Sequence, residues 1–355
     1  MIFYAQEIIP SFAMNETFIS TIKEKITSAS SIVLIPHRSP DGDAIGACLA
    51  LFHFFEQQGK KALVVTPNDF PAFLKWIPGA KQTYCFEKKA EASKKELINA
   101  SLIFYLDFNS LNRVGGQMEA FLAPLTNTKV MIDHHEEPQE ITSYTYSDSS
   151  MSSTCEMVYY FLQKIAPEDT ISPEIATCLY TGIMTDTGSF RFPATTSNTH
   201  KVIAHLIACG ANNERIHSNV YDNKSLHRLQ LLGRSLNSLA VMSEFKTAYI
   251  CLTREDLNPE KHRKGDTEGI VNYALSLKGV VFAVLFTEDL EQQLIKISFR
   301  SKGTFSASSF AKKHFEGGGH ENAAGGRSFK DMEQTVTFFR ELLPSYQNDL
   351  LSSYD

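Results

Sequence analysis

The chain has little of what would mark several familiar protein classes. Its six cysteines (Cys48, Cys85, Cys155, Cys178, Cys209 and Cys251) are scattered, and no two form a CxxC pair. That argues against a zinc–thiolate site and against a disulfide framework. Four of them lie in helix-like or apolar runs, as buried free thiols of a reducing compartment do. No apolar run reaches membrane-spanning length. The opening stretch "MIFYAQEIIPSFAMNE" has no basic region and carries Glu7 within its apolar part, which makes a poor signal peptide. Met14 competes with Met1 as the start, and a cytoplasmic protein is expected. Positive charge is not in excess: 34 Lys and Arg face 40 Asp and Glu, a net charge of -6. That argues against attachment to nucleic acid by charge alone. A small anionic substrate is not, because metal ions or a local basic patch can supply the attraction. There is no internal repeat and no low-complexity tract.

What is present is ordinary in bulk and specific in detail. The 355 residues suffice for two domains, and 43% hydrophobic with 21% charged residues is typical of a soluble globular chain. The first two hundred residues or so alternate apolar strand-like runs ("SIVLIPHR" 31–38, "KALVVTP" 61–67, "SLIFYLDF" 101–108, "TKVMID" 128–133) with helix-like ones. The amphipathic run 43–60 is one helix. Residues 153–165, with Ser153 or Thr154 as N-cap, and 172–186, with Pro173 at the first helical position, are two more. This order predicts an α/β fold with a mainly parallel sheet flanked by helices. A polar helical connector is expected over 216–240, between domains at 1–215 and 241–355. The second domain repeats the alternation with strands at 245–253, 279–289 and 293–301, and a helix at 305–315. The glycine-rich "EGGGHENAAGG" (316–326) reads as a loop opening towards a closing helix.

Polar residues collect where apolar segments end. His37, Asp41 and Asp43 follow the first strand, Asp107 the third, and Asp133, His134 and His135 close the fourth; Asp186 ends the helix at 173–185. In parallel sheets ligands bind beyond those ends. Singly, each has a bland explanation: Asp41-Gly42-Asp43 a turn, Asp186 a helix end, Asp107 a loop residue, a histidine a hydrogen-bonded structural group. Together they make four coincidences of residue type and position. Clustered carboxylates repel unless cations neutralise them, and a mixed imidazole–carboxylate shell suits Mn²⁺-like ions. The donors are too many for one ion, whereas two ions, roughly 3.5–4 Å apart in known two-metal sites, would share a carboxylate and activate water. His134 and His135 can serve one site only if the strand ends there, since strand neighbours point apart.

In this order, "HRSPDGDAIGA", the Asp of "YLDFN", "DHH" and the Asp of "TGIMTDTGSF" resemble the four motifs of the DHH-family phosphoesterases. "GGGHENAAGG" resembles the glycine-rich motif of the DHHA1 domain that accompanies them, and the likeness spans roughly residues 20–340. Length and lack of further modules are most similar to the nanoRNase/pAp phosphatase branch. The resemblance implies a DHH domain, a smaller α/β DHHA1 domain and an active site in the cleft between them. It also implies an Mn²⁺-dependent enzyme, with Mg²⁺ or Co²⁺ as the other candidate ions. Such an enzyme degrades very short RNA and linear dinucleotides such as pApA and pGpG, and dephosphorylates 3′-phosphoadenosine 5′-phosphate (pAp).

Carried over residue by residue, the resemblance implies one metal on His37, Asp41 and Asp107 and another on Asp43, Asp107, His134 and Asp186. His135 would face the substrate phosphate, and Asp133 would orient an imidazole through its other N–H; with Asp107 these form the catalytic set. Arg300, Ser301, Gly317, Gly318, Gly319 and His320 would bind the terminal nucleotide and phosphate. Glycines let backbone N–H groups approach a phosphate, and the arginine fork can bind it bidentately. Lys302, Lys312, Lys313 and His314 make the surroundings basic. No obligate protein partner is expected, and a homodimer is compatible with this reading. Three rivals remain. A family II-like inorganic pyrophosphatase would lack the glycine-rich element. A RecJ-type single-strand exonuclease would carry a further OB-like domain. A non-catalytic nucleotide-binding regulator would have lost a ligand, and none is missing.

Overall fold

The computed structural model describes residues 14–167, 170–222, 224–257, 265–289 and 292–353, so Met1 as a start lies outside the described residues. The chain divides into two compact units, Met1–Asn223 and Lys224–Asp355. The stretch 216–240 spans the end of one helix, Asn213–Tyr221, and the whole of a second, Leu226–Asn237, one on each side of that division, and its last residue begins a strand.

In the first unit the strands are β1 (Ser31–Pro36), β2 (Lys61–Thr66), β3 (Tyr84–Cys85), β4 (Leu102–Leu106), β5 (Thr128–Asp133) and β6 (Tyr144–Ser147). The helices are α1 (Glu16–Ser28), α2 (Gly42–Gln57), α3 (Ala90–Asn99), α4 (Gly116–Leu122), α5 (Thr154–Ile165), α6 (Pro173–Asp186), α7 (Ser197–Ala208) and α8 (Asn213–Tyr221). The sheet order is β3-β2-β1-β4-β5-β6, with every neighbouring pair parallel. Both faces are covered, which is why the strands read as unbroken apolar runs rather than alternating ones. Ile32 and Leu34 share a core with residues of α2, α5 and α6. Val33 and Ile35, pointing the other way, share one with Leu97, Met118 and Leu122 of α3 and α4.

Two features of this unit position a site. The chain builds outward from β1 to β3 and then returns to lay β4 on the other side of β1. A crevice therefore opens at the C-terminal ends of β1 and β4, the switch point of such a sheet. Pro36 lies opposite Leu106, and Leu106 opposite Ile132, so the residues that follow, His37, Asp107 and Asp133, emerge in one row. Helices α2 and α6 also pack unusually close. A Cβ on Gly46 of α2 would stand 2.6 Å from the Cys178 carbonyl oxygen of α6, and one on Gly182 of α6 would stand 2.9 Å from Asp43 Oδ1 of α2 and 2.1 Å from Cys155 Sγ of α5. Only glycine allows that approach, and it brings the acidic first turn of α2 beside the last turn of α6.

The second unit holds β7 (Ala240–Met242), β8 (Thr247–Leu252), β9 (Phe282–Glu288), β10 (Ile295–Ser301), β11 (Gly318–His320) and β12 (Ala323–Ser328). Its helices are α9 (Leu226–Asn237), α10 (Arg254–Leu257), α11 (Ile270–Leu275), α12 (Ala307–His314), α13 (Met332–Leu342) and α14 (Gln347–Ser352). The order is β11-β12-β10-β9-β8-β7, antiparallel except for the β8–β9 pair. One face of the sheet rests on a phenylalanine-rich core containing Phe282, Phe286, Phe299, Phe310 and Phe339. The glycine-rich stretch corrects the sequence reading. It is not a loop opening towards a helix but a β-hairpin, Gly318 pairing with Gly325 and Gly319 with Ala324. Its glycines are needed for close approach: a Cβ on Gly317 would lie 2.1 Å from the Gly325 carbonyl oxygen, and one on Gly319 2.5 Å from that of Ala323. Glycine's weak strand propensity hides such a hairpin from the sequence.

Candidate metal centre

Each side chain at the crevice is fixed by the element that carries it. Asp41 caps α2, its carboxylate accepting from the backbone N–H groups of Asp43 and Ala44, both at 3.1 Å. Asp43, in the first turn of α2 and buried, points across to the start of α5. Its Oδ2 accepts from Thr154 N–H at 2.6 Å and its Oδ1 from Cys155 N–H at 2.8 Å. Two N–H groups left free at the N-terminus of α5 are thus satisfied by a carboxylate. Ser153 is the N-cap, accepting from Glu156 N–H at 3.0 Å, which frees the Thr154 hydroxyl to donate to Asp107 Oδ1 at 2.9 Å.

Asp107 stands at the centre. It leaves β4 with a left-handed backbone, φ 65°, a conformation that non-glycine residues adopt mostly where the surroundings impose it. Its Oδ2 lies 3.5 Å from His37 Nε2, and its Oδ1 is 3.6 Å from His134 Nε2 and 3.7 Å from His135 Nδ1. His37 turns its Nδ1 to the Arg38 carbonyl oxygen at 2.8 Å, and His134 turns its Nδ1 to that of Met151 at 3.3 Å. In both rings Nδ1–H is the donor, which turns Nε2 towards the carboxylates, the orientation metal-binding imidazoles take. His134 Nε2 is also 3.5 Å from Asp186 Oδ2 and 4.0 Å from Asp43 Oδ2. Asp133, fully buried, holds His135 rather than His134, with Oδ1 2.7 Å from His135 Nδ1.

The donor atoms form three overlapping groups: His37, Asp41 and Asp107; Asp43, His134 and Asp186; and Asp107, His134 and His135. The six residues read from the sequence as metal ligands therefore converge, and His135 joins them. Their electrostatics fit cations. Burial, then the Asp107 charge, pushes the Asp43 carboxyl up to about 7, and burial with the Asp43 charge raises Asp186 well above the carboxylate range. Burial would lift Asp107 too, but the hydrogen bond from His37 and the charges of His135, His37 and His134 hold it well below its ordinary value. Burial would lower His37, yet the Asp107 hydrogen bond and the charges of Asp41 and Asp107 raise it to about 9. His134, likewise opposed by burial, is raised to about 9 by Asp107, Asp186 and Asp43. The cluster thus uses imidazolium protons to balance carboxylates, the role divalent ions would take over.

The remaining site residues lie in the second unit. Arg300 is partly buried at the end of β10, its Nη1 donating to the Phe299 carbonyl oxygen at 2.9 Å. Burial lowers its guanidinium pKa, opposed by the Glu268 charge. Ser301 is buried; its hydroxyl donates to the Phe305 carbonyl oxygen at 2.6 Å and accepts from Asn322 Nδ2 at 2.9 Å. These bonds tie β10 to the hairpin turn. Gly317 precedes the hairpin, and Gly318 and Gly319 lie in β11. The His320 side chain lies outside the described residues. His314, one of the basic neighbours, is engaged by Tyr346, with Nε2 2.7 Å from the phenol oxygen.

Two contributors escaped the sequence reading. In sequence Thr154 reads only as a capping residue, and Arg113, six residues after Asp107, as one polar residue of a loop; its Nη2 lies 3.5 Å from His135 Nε2. A lone arginine in the polar loop after "YLDFN" was the one available signal.

Comparison with known proteins gives matches across both units. Residues 31–183 match the DHH family, N-terminal domain, and residues 246–346 the DHHA1 domain. The bifunctional oligoribonuclease and PAP phosphatase NrnA of Thermus thermophilus is 30% identical over 83% of this chain and 83% of its own length. A crystal structure of an exopolyphosphatase-related protein from Bacteroides fragilis superposes with a TM-score of 0.92 at 38% identity, covering 95% of this chain and 98% of that one. RecJ of T. thermophilus, solved in complex with Mn²⁺, shares the fold at a TM-score of 0.52 and 12% identity, over 96% of this chain and 56% of its own.

Proposed function

The chain belongs to the DHH family of phosphoesterases, in the form that joins a DHH to a DHHA1 domain, and from that premise we propose that it is a two-metal phosphoesterase acting on very short RNA. Its substrates are oligoribonucleotides of a few residues, linear dinucleotides such as pApA and pGpG among them, cut to mononucleotides, and pAp, which loses its 3′-phosphate. The observation that carries this reading is the convergence of four carboxylates and three imidazoles on one crevice at the sheet's switch point. The Thermus relative's name, oligoribonuclease and PAP phosphatase, supports the choice of substrate.

In this proposal His37, Asp41 and Asp107 would hold one divalent ion, and Asp43, His134 and Asp186 the other, with Asp107 available to both. Mn²⁺ fits the mixed oxygen and imidazole donor set best. Such ions supply charge neutralisation at the phosphate and a water acidic enough to ionise near neutral pH. The chain's own residues do the rest. Asp133 fixes the His135 ring in place beside the phosphate. Thr154 and the N-terminus of α5 hold Asp107 and Asp43 against mutual repulsion. Arg300, Ser301 and the glycine-rich segment 317–320 contribute recognition of the terminal nucleotide. A cytoplasmic setting belongs to the proposal: all six cysteines are free. Among the described residues no helix is long and apolar enough to cross a membrane.

The test compares Mn²⁺-supported hydrolysis of end-labelled RNA from 2-mers to 24-mers, pAp and pyrophosphate. Rates highest on the shortest RNAs, with release of phosphate from pAp, are expected. Preference for pyrophosphate, or for the longest RNA, would overturn the reading.

A further inference from the structure

Two arginines flank the crevice, and only one is neutralised. Arg38, directly after His37, pairs with Glu87 at 2.7 Å. Arg113 makes no ion pair among the described residues; its one side-chain neighbour at hydrogen-bonding distance there is His135, with Nη2 3.5 Å from Nε2. An exposed arginine could be solvated anywhere, but this one is braced towards the site. It lies in the 3₁₀ turn Leu111–Val114. Its carbonyl oxygen accepts from Arg38 N–H at 2.7 Å, which ties the turn to the segment carrying His37. Its N–H donates to the Ser110 carbonyl oxygen at 3.0 Å. The ring it approaches is fixed from the far side by Asp133, at 2.7 Å.

The hydrogen bonding assigns the donors. With His135 Nδ1–H donating to Asp133, Nε2 is an acceptor and takes one N–H of Arg113. The guanidinium has five N–H groups in a planar fork, so the others stay open for an incoming anion. We propose that Arg113 is a phosphate-binding catalytic residue, gripping a non-bridging oxygen of the scissile phosphate beside His135. This rests on the reading of the centre as a phosphoesterase site and adds a cation that belongs to the chain itself. Charge that builds on the phosphoryl oxygens in the transition state would meet a fixed guanidinium, so the residue's effect falls mainly on turnover.

The experiment uses the full chain and the variants Arg113→Ala and Arg113→Lys, with Mn²⁺ loading measured first. Loading should equal that of the parent, since no ligand is touched. Arg113→Ala should lose roughly 10²–10³-fold in kcat on pApA. Arg113→Lys should recover part of the rate, and added guanidinium ion should raise the rate of Arg113→Ala but not of the parent. A merely structural role would not respond to free guanidinium. Binding of inorganic phosphate to the Mn²⁺-loaded protein should weaken about tenfold or more in Arg113→Ala. That arm needs no substrate, so it separates this inference from the choice of short RNA. Turnover and phosphate binding within twofold of the parent, or a loss that tracks lost metal, would overturn it.

Discussion

Asp133 grips its neighbour His135 twice: Oδ2 accepts the His135 backbone N–H at 3.0 Å, and Oδ1 lies 2.7 Å from the ring Nδ1. His134, between them in sequence, gets no such hold and faces three other carboxylates through Nε2. Strand β5 ends at Asp133, so the chain is free to turn the two rings apart. Different work for the two histidines is the expected consequence. His134→Ala should lose Mn²⁺ affinity, whereas His135→Ala should keep its metal and slow turnover by roughly 10²-fold or more. Asp133→Asn should cost roughly 10–100-fold by loosening the His135 ring. Calorimetric Mn²⁺ titration of each variant decides; equal metal loss in the two histidine variants would remove the distinction.

Asp107 carries a different expectation. It approaches three imidazoles, accepts the Thr154 hydroxyl, and belongs to two of the three donor groups. If it is the shared ligand, Asp107→Ala should abolish turnover and remove at least one bound ion, while His37→Ala should disturb a single ion. Metal counted by electron paramagnetic resonance, alongside the rate on pApA, checks this. A variant turning over Mn²⁺-dependently at near-parent rates would defeat the two-metal arrangement.

Much of the first unit was legible because its strands are buried on both faces. Runs such as "SLIFYLDF" have no competing reading, and their ends mark where polar residues must gather. Which donors meet followed from those ends. What was not legible depends on distance through space. Thr154 lies more than a hundred residues from Asp43, and its amide role appears only once α5 is docked against α2. Asp133 was expected to orient an imidazole, but which one depends on where β5 stops, a matter of one residue. The hairpin at 318–328 was hidden for another reason. Its strands are built from glycine and alanine, chosen for close backbone approach, so they carry no alternation of apolar and polar residues.

The glycine contact of α6 with α5 and α2 should matter to both stability and the metal site. A methyl group at position 182 would meet Cys155 Sγ at 2.1 Å and Asp43 Oδ1 at 2.9 Å. Gly182→Ala should therefore destabilise by about 1–3 kcal/mol and weaken metal binding by displacing Asp43. Removing the sulfur relieves part of the clash, so Gly182→Ala with Cys155→Ala should cost less than the two single changes summed. Urea unfolding of the four proteins measures the coupling. Strict additivity would mean that the helices separate instead of pressing on Cys155.

The last expectation concerns protons. In the metal-free protein the carboxylates around them raise His37 and His134 to about 9 each, against burial. Both rings are then charged at pH 7, and a charged imidazole has no lone pair to give. Asp43, raised to about 7 by burial and by Asp107, is itself partly protonated there. Metal binding must displace these protons, so affinity should rise with pH across the window from about 7 to about 9 and level off above it. The sign follows from the raised values. Competition is full below them and vanishes above them, whereas imidazoles at their ordinary value would already be neutral at pH 8. Mn²⁺ titration in buffers of different ionisation enthalpy should accordingly report release of more than about one proton per protein at pH 7, and little above pH 10. Affinity flat between pH 7 and 9 would show that the free site does not hold its charge balance on His37 and His134.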